Sequence, residues 1–271
     1  MEELPTYRYR RVLVNSVILF IIANILETTL HECGHFLTAI ALNAQDVTLH
    51  HNYVDYKEAI LPLEAKLWIS AAGPITSLFI GILFQVLCYI RYQKDQVFLF
   101  ENYMAIFGYI GFFGYMMIAP FFASGDTGYF FQALRFPLWS VILMAIIAFI
   151  TLYILMASLT RNFVQVCPYE SLEIRHARAM FMKQLVLYPV MIGIVLTTLL
   201  NLPVITFLSL FAPFCIPFTI LWTYPLAVRK DYPGLISNPE FEDINRYSPY
   251  AITSLVVIIL MNRLLVFGLH F

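Results

Sequence analysis

Apolar runs long enough to cross a bilayer recur along this chain, and they leave it few architectures. A spanning helix needs about 20 mostly apolar residues. Seven runs meet that need, at 12–42, 67–91, 102–122, 137–159, 181–201, 204–227 and 249–268. The chain is 61% hydrophobic and 12% charged over 271 residues, with a mean hydropathy of +0.77. Soluble domains carry roughly 25% charged residues, so the expected fold is all-α and polytopic, with about seven transmembrane helices. The net charge of −1 comes without a basic block or acidic tail, which argues against nucleic acid as a partner. Cys33, Cys88, Cys167 and Cys215 form no CxxC pair and read as thiols, not as a disulfide framework. Arg8, Arg10 and Arg11 ahead of the first run resemble the start of a signal peptide. That run continues far beyond the roughly 7–15 residues of a leader's apolar segment, so a retained span is expected.

The first run carries His31-Glu32-Cys33-Gly34-His35 in its last third. Imidazoles four positions apart share a helix face and can bind one zinc ion, and the Glu between them is placed as a general base for a metal-activated water. Ionisable groups are costly inside a membrane and usually functional there. Glu27 extends the same stripe, with Asn24 and Thr28 near it. Glu27 reads either as a partner of a ligating imidazole or as a group lining a wet pocket. A catalytic zinc site usually has three protein ligands. Asp126 is the best third candidate, because it follows a span in a Gly-containing break after Pro120. A cap or loop Asp is the plainer alternative. His50 and His51 are weaker ligand candidates, and His176 and His270 weaker still.

These residues resemble the site-2 protease family of intramembrane zinc metalloproteases. The HExxH matches that family's first motif, including a Gly before the second His. Ala72-Gly73-Pro74 resembles its AGP-type motif. The stretch from Met117 through Pro120 to Asp126-Thr127-Gly128 resembles its third motif, which carries the last zinc ligand. The resemblance covers about 12–135 and implies a three-helix metalloprotease-like core within 1–135. Residues 136–271 are left as additional transmembrane helices of unassigned role. It further implies Zn²⁺ held by His31, His35 and Asp126, with Glu32 catalytic, and Glu27, Gly73, Pro74, Thr76 and Ser77 behind the ligands or in the pocket. The chain departs from the family pattern at Ser77 and Met117, where Asn is usual, and the Pro-to-Asp spacing is one residue longer.

The expected activity is hydrolysis of peptide bonds in membrane-protein substrates within the bilayer, with any regulatory partner unspecified. The same metal and base would also suit a lipid or small-molecule hydrolase. A non-catalytic metal-holding scaffold or transporter is a third reading, although it leaves Glu32 without a task. The alternation around Val47-Thr48-Leu49 and Tyr53-Val54-Asp55 suits a short hairpin in 43–66, and an exposed strand there could capture substrate by edge pairing. Charge bias places eleven Lys and Arg residues on the N-terminal side against Lys57, Lys66 and Arg135 opposite, which favours a cytoplasmic N-terminus. His31 then lies roughly 28 Å along its helix from Val12, toward the far face. The family resemblance implies a site nearer the cytosol, so orientation stays open at this point.

Overall fold

The computed structural model describes residues 9–123, 125–204, 207–232, 234–235 and 240–271. Arg8 of the charge count, Ser124 of the third motif, 205–206 of the sixth run, and 233 and 236–239 lie outside the described residues. The chain is 77% helical with almost no sheet. In order come α1 (Arg10–Ala41), α2 (Leu63–Ile90), α3 (Gln96–Ile118), α4 (Asp126–Ala133), α5 (Leu138–Gln165), α6 (Arg175–Leu200), α7 (Phe207–Cys215), α8 (Thr223–Arg229) and α9 (Pro249–Leu265). Of these, α1, α2, α3, α5 and α6 are long and apolar enough to cross a membrane.

The helix starts follow local chemistry. Asp95 accepts a hydrogen bond from the Phe98 N–H at 2.9 Å, which sets the start of α3 six residues before the apolar run. Pro62 and Pro137 immediately precede α2 and α5. The sixth run is not one continuous helix. It divides into α7, a 3₁₀ segment Ile216–Trp222 and α8. Pro213, Pro217 and Pro225 fall in these pieces, and each lacks a backbone donor and crowds the preceding turn. The seventh run gives α9, of 17 residues. It ends at a turn through Gly268, whose φ of +82° suits glycine.

Helix α1 runs through the middle of the bundle, against α2, α3, α6 and α9. Phe20 is fully buried and meets Tyr103 and Phe107 edge-on, at centroid distances of 5.7 and 4.9 Å. Ser16 and Tyr103 both donate to the Leu185 carbonyl, at 2.6 and 3.0 Å, which ties α1 and α3 to α6. At the end of the bundle holding the N-terminus, the Asn15 amide donates to the carbonyls of Ile244 and Arg246, and Gln96 donates to that of Asp243.

The opposite end carries a small antiparallel sheet. β1 (Thr48–Leu49) and β2 (Val54–Asp55) form the hairpin expected from their alternation. β3 (Leu269–His270) pairs with the other edge of β1, so the order is β2-β1-β3. The C-terminal tail therefore closes an edge that the sequence left open, and the Phe271 N–H adds a bond to the Val47 carbonyl at 2.9 Å. The hairpin turn is pinned to the end of α6. His51 and Asn52 donate to the Asn201 carbonyl at 2.9 and 3.1 Å, while Arg263 of α9 donates to the carbonyls of Leu200 and Leu202.

Candidate metal centre

Helical spacing brings Glu27, His31 and His35 to one face of α1, where α2 crosses. Asp126, the first residue of α4, reaches the same point. Its Oδ2 lies 3.1 Å from His31 Nε2 and 3.4 Å from His35 Nε2, and the two nitrogens are 3.2 Å apart. Both imidazoles are buried, and the Asp126 side chain is 28% exposed.

The outward nitrogens decide what this cluster can hold. His35 Nδ1 lies 2.6 Å from the Ile69 carbonyl, which can only accept, so the imidazole proton sits on Nδ1. Ser77 Oγ donates to Glu27 Oε1 at 2.5 Å, so it accepts from His31 Nδ1 at 2.8 Å. In the neutral rings both Nε2 atoms are then bare lone pairs, facing each other and a carboxylate oxygen. Three acceptors without a shared proton repel unless a cation sits among them. Ligands held about 2.0–2.1 Å from one tetrahedral ion stand about 3.3–3.4 Å apart, close to the spacings seen here. His31, His35 and Asp126 form a group that could hold a metal ion.

The surrounding helices leave room for that ion by withholding side chains. A Cβ at Gly73 would collide with Nε2 of both His31 and His35. At Gly111 it would strike Glu27 Oε1 and Ser77 Oγ. Gly111 lies in a π-helical stretch of α3, Ile110–Gly114, a local widening often found at functional sites. Pro74 is buried inside α2. Having no N–H, it cannot bond the Ser70 carbonyl four residues earlier, in the turn whose Ile69 carbonyl meets His35.

A cavity of about 550 Å³ opens beside the cluster. Glu32, 8% exposed, lines it, as do Glu27, Asn24 and the hairpin residues Asn52–Tyr56. Tyr115 stacks on His31, with centroids 5.5 Å apart and planes 25° from parallel. The wall includes Asn201, Pro213, Ile216 and Pro217, so residues on both sides of position 135 build it.

This chain matches no protein-family model, no curated protein and no solved structure. Its chemistry must be read from the cluster itself.

The structure gathers Glu27, Glu32, His31, His35, Gly73, Ser77 and Asp126 at one place. Glu27 bonds Ser77 behind His31 and also lines the cavity. Thr76 instead packs between α2 and α1, where a Cβ on Gly34 would meet its hydroxyl. His50 stacks on Tyr53 at 4.2 Å, His51 bonds Asn201, and His270 Nδ1 lies 2.9 Å from the Thr48 hydroxyl. His176 is exposed. Among the described residues none of these four joins the metal-binding group. Sequence reasoning passed over the Ile69 carbonyl, Tyr115 and Gly111. A backbone acceptor has no residue signature, and glycine in an apolar helix signals close approach without naming the neighbour.

Proposed function

We propose that this chain is a multi-pass membrane zinc metallopeptidase of the site-2 protease type, which hydrolyses peptide bonds of membrane-protein substrates. The observation that carries this reading is the convergence of two imidazole Nε2 atoms and one carboxylate oxygen beside a buried Glu in a cavity. When bound, a zinc ion supplies Lewis acidity toward water and the substrate carbonyl. Glu32 takes a proton from the attacking water and delivers it to the leaving amine. The His31–Ser77–Glu27 chain holds one imidazole ring in its tautomer, and the Ile69 carbonyl holds the other. A substrate helix must unwind to expose its carbonyl. The edge of β2 not paired with β1 borders the cavity and offers an unwound segment a strand to pair with.

The exposed apolar surface supports membrane insertion. Trp139, Ile146, Ile150 and Ile154 of α5 are each at least half exposed, a surface that suits lipid better than water. With seven spans, a three-helix core of α1–α3 and the broken α7–α8 segment counted as one crossing, the two chain ends fall on opposite faces. Arg10, Arg11, Arg91, Lys94 and Arg246 gather at the N-terminal end, which supports a cytosolic placement of that end. The metal centre then lies toward the other face.

The test is Glu32→Gln in cells, with terminal labelling of membrane-protein fragments. The variant should keep its metal and lose cleavage by 10²-fold or more, roughly the contribution of a general base. Undiminished cleavage would refute the assignment. Ser77 and Met117, where Asn is usual in the family, favour a second reading as a hydrolase of lipid esters or amides. A changed lipid species with no changed peptide would select it.

A further inference from the structure

The cavity beside the metal centre carries charge of one sign. Glu27, Glu32, Asp55, Glu58 and Asp126 line it, with no Lys or Arg among its lining residues. The cations close to its rim are engaged elsewhere or shared. Lys57 pairs with Asp46 at 2.5 Å, and Lys66 stands 3.8 Å from Glu58. Asp55, exposed on β2, makes no ion pair among the described residues. As metal ligands, His31 and His35 would be neutral imidazoles and would add no positive charge. A dication held by His31, His35 and Asp126 would offset charge at the centre and leave Asp55 and Glu58 at the rim.

A second observation points into the same cavity. Asn24 of α1 is 7% exposed, lines the wall, and has no hydrogen-bond partner among the described residues. Its amide atoms are not among the sealed polar atoms of the described residues, so the carboxamide is open to whatever fills the cavity.

We propose that the cavity selects an extended chain segment bearing a Lys or Arg side chain within about three residues of the scissile bond. This rests on the peptidase reading above and adds the substrate class. Asp55, supported by Glu58, meets the cation at the rim. Asn24 bonds the segment's backbone at the inner end. Pairing with β2 sets the reach, since each residue of a strand advances about 3.3 Å and a lysine spans roughly two such steps. The same field disfavours acidic segments and anionic lipid headgroups, because like charges in a partly enclosed site are screened less than on an open surface.

Three otherwise identical apolar ten-residue peptides, with Lys, norleucine or Glu three positions from the centre, test this. Their affinities are read by fluorescence anisotropy on detergent-purified, zinc-loaded Glu32→Gln protein, and their cleavage on wild type. Binding should fall by about tenfold from Lys to norleucine and again to Glu. Asp55→Asn with Glu58→Gln should flatten the order, and Asp55→Lys should reverse its first step. Equal affinities, no binding by any peptide, or an order unchanged by these substitutions would overturn the proposal. A Lys peptide that binds in the predicted order and is not cleaved by wild type would sink the peptidase reading and leave the charge selectivity standing.

Discussion

Replacing Ser77 with Ala removes one oxygen atom, yet it should loosen the metal centre. Ser77 is fully buried, accepts from His31 Nδ1 at 2.8 Å and donates to Glu27 at 2.5 Å. Without the hydroxyl, two buried polar groups lose their partner, at about 1–3 kcal/mol each. The His31 proton is also free to move to Nε2, where it blocks ligation. Removing a group that orients a ligating His typically lowers metal affinity 10–100-fold, or about 1.4–2.7 kcal/mol. Competition against a fluorescent zinc chelator on detergent-purified protein reads this directly. Thr76→Ala, on the same turn of α2 but facing Gly34, should change affinity less than threefold, and Ser77→Thr should restore most of the loss. A Ser77→Ala affinity within twofold of wild type, or an equal loss in Thr76→Ala, would refute the reasoning.

Gly73→Ala should abolish metal binding while helical circular dichroism is retained. The new Cβ would stand 2.5 Å from His31 Nε2 and closer still to His35 Nε2, forcing a shift of about 1 Å where metal sites tolerate about 0.2 Å. Metal content above half of wild type would contradict this. Deleting 269–271 removes the β3 pairing and the Phe271 bond to Val47, so amide exchange across 47–55 should quicken about tenfold with metal content unchanged; unaltered exchange would mean that the tail does not hold the hairpin. Acid should loosen the same hairpin through His51, whose burial against the end of α6 pushes its pKa below the ordinary imidazole range, with Arg263 and His50 adding to the shift. The docked state favours the neutral ring, so its advantage is complete above about pH 6.5 and declines as pH falls below that, where the undocked state takes the proton first. Exchange in 47–55 should therefore rise between pH 7 and 5 in wild type and much less in His51→Gln; the same rise in both would contradict this.

The long helices were legible because apolar runs of this length admit few alternatives, and five have both ends within six residues of their expected spans. The first four-residue stripe was legible because i, i+4 spacing fixes a shared face on any helix. Asp126 was harder, being far along the chain from His31, and it was reachable through the break after Pro120 and the family resemblance. What the sequence hid was tertiary. The broken sixth run has apolar composition throughout, and only its three prolines hint at separate pieces. The pairing of β3 with β1 joins residues more than 200 positions apart with no turn signal between them. The acidic lining mixes residues from α1, the hairpin, the turn at Glu58 and α4, and no local pattern unites them.

Elemental mass spectrometry of detergent-purified wild type, His35→Ala and Asp126→Ala probes the three-ligand centre itself. About one zinc per wild-type chain is expected, with that zinc lost in both variants and the helical fold intact. Wild type free of zinc after chelator-free purification and zinc challenge, or Asp126→Ala with full occupancy, would contradict the three-ligand assignment.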